Sequence, residues 1–224
     1  MGARRRGITM KERTSKIIAE LFAPGDALEN IRESALQAGE LMRDSFARGG
    51  KLLVCGNGGS WADGEHIVGE LMKGFLLKRP LPDDVKEELA RLWGDEGRAI
   101  ASALQGALPA ISLGSHGALM TAFANDADGR FAFAQQAMGY ARPGDVALGI
   151  STSGNAENVR FALMAAKSRG ASTIALTGAD GGLLAKYADC CIRVPDRRTF
   201  RVQEHHLRIY HFLCAFVESE LFDE

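Results

Sequence analysis

Short apolar runs alternate with amphipathic segments along this chain, which is typical of buried strands separated by helices. Five of these runs are too short for anything but strands. They cover 52–55, 109–113, 146–150, 172–176 and 190–194. Strands that are apolar on both faces are covered on both faces, so the pattern predicts a three-layer, flavodoxin-like α/β sandwich around a five-stranded parallel sheet.

Helical periodicity predicts the elements between the strands. A helix over 14–23 stops at Pro24-Gly25, and Asp26 is expected to cap a long helix ending near Ala47. Both precede the first strand, so they either cover the sheet or pack against a second copy of the chain. Further helices are expected over 60–77, 119–123, 131–141, 156–168, 183–187 and 200–221.

Residues 78–108 differ in composition and pattern from the alternating strands and helices of the rest of the chain. Two prolines and an acidic pair introduce a charged amphipathic helix, and a second short helix is expected around Ile100. We interpret the segment as a helical insertion in a single domain over 13–224, and insertions of this length are often functional. Residues 1–12 lack the apolar stretch of a signal peptide and are expected to be poorly ordered, with Met10 a plausible alternative start.

The composition is that of an ordinary globular protein, with 46% hydrophobic and 25% charged residues and a formal net charge of -1. This balance indicates neither a nucleic-acid partner nor a membrane surface. No apolar run reaches the roughly 18 residues of a membrane span. The four cysteines lie in apolar runs without C-x-x-C spacing and are predicted to be buried, reduced thiols of a cytoplasmic protein. They are Cys55, Cys190, Cys191 and Cys214.

A glycine-rich turn follows the first strand. The segment 56–60, GNGGS, leads into a helix for which Ser60 is the expected N-cap and Asp63 lies at the third helical position. Backbone N–H groups and the positive end of the helix would then face one point, where a phosphate could bind. A tight turn alone gives the same spacing, so this motif is weak by itself.

A second turn of the same kind follows the third strand. The segment 151–155, STSGN, offers three hydroxyls and a glycine that lets the backbone come close to a ligand. Ligands of open parallel sheets bind beyond the carboxyl ends of the strands, where both turns lie. Together the two turns predict binding of a phosphate ester by uncharged groups.

Three further side chains suggest chemistry near these turns. His66 and Glu70 are four positions apart, so they project from one face of a helix, although a local surface pair would look the same. His211 lies in an apolar run, where an unpartnered imidazole would be costly. His205 and His206 are more often surface or satisfied core residues.

The motifs in combination resemble the phosphoheptose isomerases, which are sugar isomerase (SIS) domain enzymes. They are GNGGS, the His66–Glu70 spacing, GDVALGISTSGNAENV, ALTGADGG, and RVQEHH with a later His. The resemblance covers about 26–222, apart from 78–108. It implies an aldose–ketose isomerase that interconverts sedoheptulose 7-phosphate and D-glycero-D-manno-heptose 7-phosphate through an enediol. It also implies a homotetramer with interfacial active sites, in which the N-terminal helices serve oligomer packing.

The resemblance also implies roles for single residues. Glu70 is the implied base for the carbon-bound proton and His211 the implied acid for the sugar oxygens. In members that bind zinc, the matching ligands are His66, Glu70, Gln203 and His211, whose donor atoms suit that metal. Gln203 and His211 are about 12 Å apart along a helix, so one ion needs extended side chains or a neighbouring subunit. The implied substrate contacts are Asn57, Gly58, Gly59, Ser60, Ser115, His116, Ser151, Thr152, Ser153 and Gln203.

The chain departs from the family pattern at three positions. His116 stands where most members have a substrate-contacting Asp, Ala156 replaces a Ser, and Phe200 replaces an Asp. These departures leave the particular heptulose phosphate open. The alternative is a non-catalytic SIS protein that binds a sugar phosphate or a protein partner, as the member that associates with the replication initiator does. That member lacks the residues matching Glu70 and His211, so their presence favours the enzyme.

Overall fold

The computed structural model describes residues 10–223, in which five strands form one parallel sheet of order β2-β1-β3-β4-β5. The strands are β1 (Leu52–Cys55), β2 (Ala110–Ser112), β3 (Val146–Ser151), β4 (Ser172–Thr177) and β5 (Cys190–Arg193). Cys55 pairs with Gly149 and Ser151 with Thr177, so the carboxyl ends of β1, β3 and β4 lie side by side. The predicted five-stranded parallel sheet is confirmed.

Eight α-helices accompany the sheet in the described part of the chain. They are α1 (Glu12–Leu21), α2 (Arg32–Ala47), α3 (Gly59–Met72), α4 (Asp83–Ala103), α5 (Gly117–Asp126), α6 (Ala132–Tyr140), α7 (Glu157–Ser168) and α8 (Thr199–Leu221). One core lies between the sheet and α1, α2, α3 and α8, and the other between the sheet and α6 and α7. The predicted three layers are therefore present.

The first two helices cover the sheet within the chain itself. Phe22, just after α1, packs edge-on against Phe212 of α8 at 5.1 Å between ring centroids. α2 lies over β5 and α8 and buries Ala35, Ala38 and Met42. These contacts show that α2 covers the sheet and that α1 packs on α8, whereas packing against a second copy stays a prediction. α1 begins inside the stretch 1–12 that was expected to be poorly ordered, and residues 1–9 of that prediction lie outside the described residues.

Two predicted helix starts are wrong. Asp26 does not cap α2, because its carboxylate accepts the Leu28 N–H in a separate turn and α2 begins only at Arg32. Ser60 is not the N-cap of α3: Gly58 takes that position, and Ser60 is buried in the first turn. Gly58 has φ +54°, a conformation that favours glycine, so the backbone and no side chain opens this helix.

The predicted end of α3 near Leu77 is also wrong, because the helix ends at Met72. The Arg79 guanidinium donates to the Leu71 carbonyl, which a longer helix would use internally. The backbone N–H groups that follow donate to the Glu218 carboxylate instead of continuing the helix. A residue distant in sequence therefore ends this helix.

The segment expected as an insertion with two helices contains both of them, within α4. They meet at Gly94, where φ is +58° and the backbone is not helical, and the second helix ends at Ala103. Pro80 and Gln105 form an antiparallel bridge that brings the two ends of the segment together. The single-domain boundary at 13–224 stays a prediction.

All four cysteines are free thiols. Cys55, Cys190 and Cys214 are buried as predicted, whereas Cys191 is only half-buried. Burial raises the pKa of the Cys55 and Cys190 thiols to about 12. Within residues 10–223 there is no helix with both the length and the apolar character needed to cross a membrane.

Candidate active site

The two glycine-rich turns lie next to each other at the carboxyl edge of the sheet. β1 and β3 are hydrogen-bonded neighbours, so the turn 56–60 and the turn 151–155 leave the sheet side by side. Asn57 and Asn158, at the start of α7, exchange two amide hydrogen bonds of 2.9 Å. This pair ties the first turn to the helix behind the second.

The second turn is held by its own backbone and by the loop after β4. Gly178 N–H donates to the Thr152 carbonyl at 3.0 Å, and Asn155 N–H donates to the Ser153 hydroxyl at 3.2 Å. Gly154 has φ +68°, and a Cβ there would lie 2.2 Å from the Gly181 carbonyl oxygen, so only glycine fits. The turn is thus a fixed, uncharged surface, with Ser151 buried, Thr152 half-buried and Ser153 exposed.

Gln203 of α8 reaches the beginning of α3. A Cβ added to Gly59 would lie 2.0 Å from the Gln203 side-chain nitrogen, so the amide occupies the space that glycine leaves open. Gln203 therefore lies beside the first glycine-rich turn. It is two turns of α8 away from His211.

The predicted acid–base residues meet at the other end of α3. His66 Nε2 lies 3.1 Å from Glu70 Oε1, and Lys73 donates to Glu70 Oε2 at 3.0 Å. His66 Nδ1 lies 2.9 Å from the Tyr210 hydroxyl. The rings of His66 and His211 are perpendicular, with centroids 5.0 Å apart. Glu70 and His211, carried on two different helices, therefore flank one imidazole.

The surroundings set the charge of this pair. Burial raises the pKa of the Glu70 carboxyl, but hydrogen bonds and charge from Lys73 and His66 outweigh it and keep the pKa below its usual value. Burial lowers the pKa of His211, as does the neighbouring His66, against the opposing effect of Glu70. At neutral pH the pair is thus a carboxylate and a neutral imidazole.

His211 is partly open to a cleft between α1 and α8. The cleft has a volume of about 390 Å³, and Phe75 and Leu76 line it together with residues of the two helices. His211 Nε2 is itself buried and has no hydrogen-bond partner in the described part of the chain. An unpartnered buried ring nitrogen next to a carboxylate is free to bond a ligand.

Sequence reasoning missed Tyr210 and Asp63. The Tyr210 hydroxyl bonds to His66 and also faces Asp63. Burial raises the pKa of Asp63 to about 6, although Tyr210 and His66 oppose this shift. A polar hydroxyl in the apolar run beside His211 was the available signal, because a buried tyrosine hydroxyl usually needs a partner.

Ser115 and His116 lie on another side of α3. The Ser115 hydroxyl donates to Glu65, which also accepts from the Trp61 indole at 2.7 Å. His116 Nε2 lies 2.9 Å from the Tyr140 hydroxyl. The structure therefore groups these two predicted contacts around Glu65, at the end of β2, and not against Glu70. Glu65 was also missed.

Comparison with known proteins shows the family of this chain. Family models described as SIS domain match residues 17–89 and 115–210. The chain is 41% identical over 185 residues to a phosphoheptose isomerase of Geotalea daltonii, covering 83% of each chain. It is 38% identical to one of Roseiflexus sp., covering 83% of this chain and 81% of the relative. The chain belongs to the phosphoheptose isomerase family.

Solved structures of phosphoheptose isomerases share this fold. The one from Neisseria gonorrhoeae has a TM-score of 0.70 and 34% identity, over 93% of this chain and 98% of that one. The one from Francisella tularensis has a TM-score of 0.68 and 28% identity, over 92% and 93%. The resemblance drawn from the sequence motifs is confirmed, and with it the SIS fold.

Zinc stays a prediction: the residues expected to bind it include suitable donors, but they do not form a metal-binding cluster. His66, Glu70 and His211 are neighbours, and the unpartnered Nε2 of His211 is a suitable donor. Within residues 10–223, however, no group of three or more His, Cys, Asp or Glu side chains is placed to hold a metal ion. His66 Nε2 bonds directly to Glu70, and Gln203 lies against Gly59.

Proposed function

We propose that this phosphoheptose isomerase family member interconverts sedoheptulose 7-phosphate and D-glycero-D-manno-heptose 7-phosphate. The observation that carries the proposal is the meeting of Glu70 and His211 around His66. The uncharged turns lie at the beginning of α3, and Glu70 lies about 16 Å farther along the helix axis, at 1.5 Å per residue. That span exceeds the length of an extended seven-carbon sugar phosphate. One substrate would therefore join the turns of one subunit to the acid–base pair of another, as the interfacial active sites of the proposed homotetramer allow.

Glu70 would act on carbon and His211 on oxygen. In the ketose, the Glu70 carboxylate removes a proton from C1 while neutral His211 donates a proton to the C2 oxygen, which gives the enediol. His211 then takes the proton of the C1 hydroxyl, and Glu70 returns its proton to C2, which gives the aldose. Each residue ends in its starting state. Lys73 supports the cycle by keeping Glu70 ionised between turnovers.

The phosphate would be bound without a cationic side chain. The proposed donors are the backbone N–H groups of Gly58 and Gly59 and the hydroxyls of Thr152 and Ser153. The Ser60 and Trp61 N–H groups already donate to the Asn57 and Gly58 carbonyls. Asn57, Ser60, Ser151 and Gln203 complete the proposed substrate contacts. Ser115 and His116, grouped around Glu65, would contact the sugar from the side of β2.

We also propose zinc, a homotetramer and a cytoplasmic location as finer features. His66, Glu70 and His211 would hold the metal, which when bound would polarise the sugar carbonyl. Gln203, the fourth predicted ligand, contacts Gly59 in this chain, so it would join these residues from a neighbouring subunit or after its side chain moves. The four free cysteines are consistent with a reducing compartment. The molar mass of the purified protein by light scattering checks the tetramer.

The test is direct turnover. The purified protein is incubated with sedoheptulose 7-phosphate, and the aldose is followed by NMR. Appearance of the aldose supports the isomerase. Thermal stabilisation by the ketose without turnover would indicate a sugar-phosphate sensor instead. Neither effect, together with a protein partner recovered by pull-down, would indicate a non-catalytic interaction module.

A further inference from the structure

A buried ion pair lies against the backbone that carries Glu70 and the segment after it. Arg79 and Glu218 have side chains that are 0% and 1% exposed, and Arg79 Nε donates to Glu218 at 2.6 Å. Burying two charges is costly, and such a pair is weak evidence for stability alone. Each partner also holds backbone groups near the acid–base residues in place.

Arg79 binds the last turn of α3. Its guanidinium donates to the Leu71 carbonyl at 2.7 Å and to the carbonyl of Glu70 itself at 3.3 Å. The planar group also lies over the Phe222 ring, 4.8 Å from its centroid. The backbone of the proposed base is thus fixed from behind by a side chain that touches no substrate.

Glu218 binds the segment that follows. Its two carboxylate oxygens accept the backbone N–H groups of Phe75, Leu76 and Leu77 at 2.8, 2.7 and 3.1 Å. The Phe75 ring lies 5.5 Å from the His211 ring, and Glu218 is two helical turns beyond His211 on α8. Glu218 therefore fixes an aromatic neighbour of the proposed acid.

The two ends of the segment 80–105 are fastened at the same place. Gly106 N–H donates to the Arg79 carbonyl at 2.6 Å, and Gly74 N–H donates to the Gln105 side chain at 2.7 Å. Leu108 N–H donates to the Leu71 carbonyl at 2.9 Å. The ion pair and these hydrogen bonds together connect α3, α8 and the two ends of the segment that contains α4.

We propose that Arg79 and Glu218 are positioning residues for the isomerase, because their ion pair holds Glu70 and Phe75 at fixed distances from His66 and His211. The inference rests on the proposed function, in which Glu70 and His211 move the protons. Neither Arg79 nor Glu218 touches the sugar. Weakening the pair should therefore slow turnover without weakening substrate binding.

Arg79→Lys tests this, because the charge beside Glu218 remains, while a single ammonium group cannot reproduce the planar spread of donors that reaches Glu218 and both α3 carbonyls. Lys51→Met is the matched control. Lys51 Nζ donates at 2.7 Å to Asp145, whose side chain is 3% exposed. This pair lies at the amino ends of β1 and β3, at the opposite end of the strands from the glycine-rich turns. Both variants should lower the melting temperature by a few degrees. Only Arg79→Lys should lower kcat, at least tenfold, with KM within twofold.

Three results would overturn the positioning role: an unchanged kcat in Arg79→Lys, a KM that rises as much as kcat falls, or an equal loss of kcat in Lys51→Met. Inactive wild-type protein would instead contradict the proposed function. The positioning role is then judged by the NMR shifts of the His211 ring protons, which depend on the nearby Phe75 ring. They should move in Arg79→Lys and not in Lys51→Met, and unmoved shifts would overturn it.

Discussion

Replacing Glu70 by Gln removes the proposed base with almost no change in shape. The carboxylate is 14% exposed and bonds to His66 and Lys73. An amide can keep a hydrogen bond to each neighbour, but it cannot take a proton from carbon. Glu70→Gln therefore isolates the proton transfer from the packing of the site.

The expected loss of activity follows from general base catalysis. Losing a positioned base typically costs about 10²- to 10⁴-fold in rate, which is about 3 to 5 kcal/mol of transition-state stabilisation. The fold should survive, because the pair with Lys73, whose side chain is 59% exposed, is worth less than about 1 kcal/mol. Binding of sedoheptulose 7-phosphate should stay within about tenfold, or roughly 1.4 kcal/mol.

The assay follows formation of the aldose by NMR, with binding measured separately by calorimetry. Glu88→Gln is the control, since it makes the same chemical change on α4, where Glu88 bonds only to Arg91 among the described contacts. The control should keep wild-type turnover. If Glu70→Gln kept more than a few per cent of the activity, the base would have to be another residue.

Three further perturbations test other parts of the site and fold. Burial lowers the pKa of His206 to about 4, so the unfolded chain takes up its proton first as pH falls below 6.5. The free energy of unfolding should therefore fall by up to roughly 3 kcal/mol between pH 6.5 and 4, and His206→Leu should flatten this slope in chemical denaturation; an equal slope in both proteins would contradict the burial effect. Gly154→Ala forces a Cβ against the Gly181 carbonyl, so the melting temperature should fall in thermal unfolding. In steady-state kinetics KM should rise and kcat should change least. A wild-type KM would show that the turn does not bind the phosphate. Chelation should lower activity, and metal analysis of the purified protein should find zinc. His66→Ala should lower this zinc content. Kinetics unchanged after metal removal would leave His66 a structural role.

The strands could be predicted because each depends on its own residues. The run at 52–55 is apolar at every position, and all four residues are buried in the sheet. The crossover helices followed from the same alternation, since parallel strands need them. Both glycine-rich turns could be predicted for a related reason: glycine and hydroxyl residues at strand ends mark them locally.

The wrong or missed predictions concern features that are determined by residues distant in sequence. α3 ends at Met72 because Arg79 and Glu218 bond its last turn and the backbone beyond it, and Glu218 is more than 140 residues away. Tyr210 was missed because its partners lie on α3. A hydroxyl in an apolar run signals that it needs a partner, but it does not say which residue that partner is. The grouping of Ser115 with Glu65 likewise depends on how β2 packs beside α3. Periodicity predicts an element, whereas tertiary contacts set its ends and its neighbours.

A crystal structure of Glu70→Gln with sedoheptulose 7-phosphate bound would examine the arrangement most directly. We expect the phosphate to lie on the turns 56–60 and 151–155. The sugar atoms C1 and C2 should then lie between the side chain at position 70 and His211. The oxygens on C1 and C2 should be within hydrogen-bonding distance of these two side chains. A phosphate bound elsewhere, or C1 and C2 out of reach of both side chains, would contradict the account.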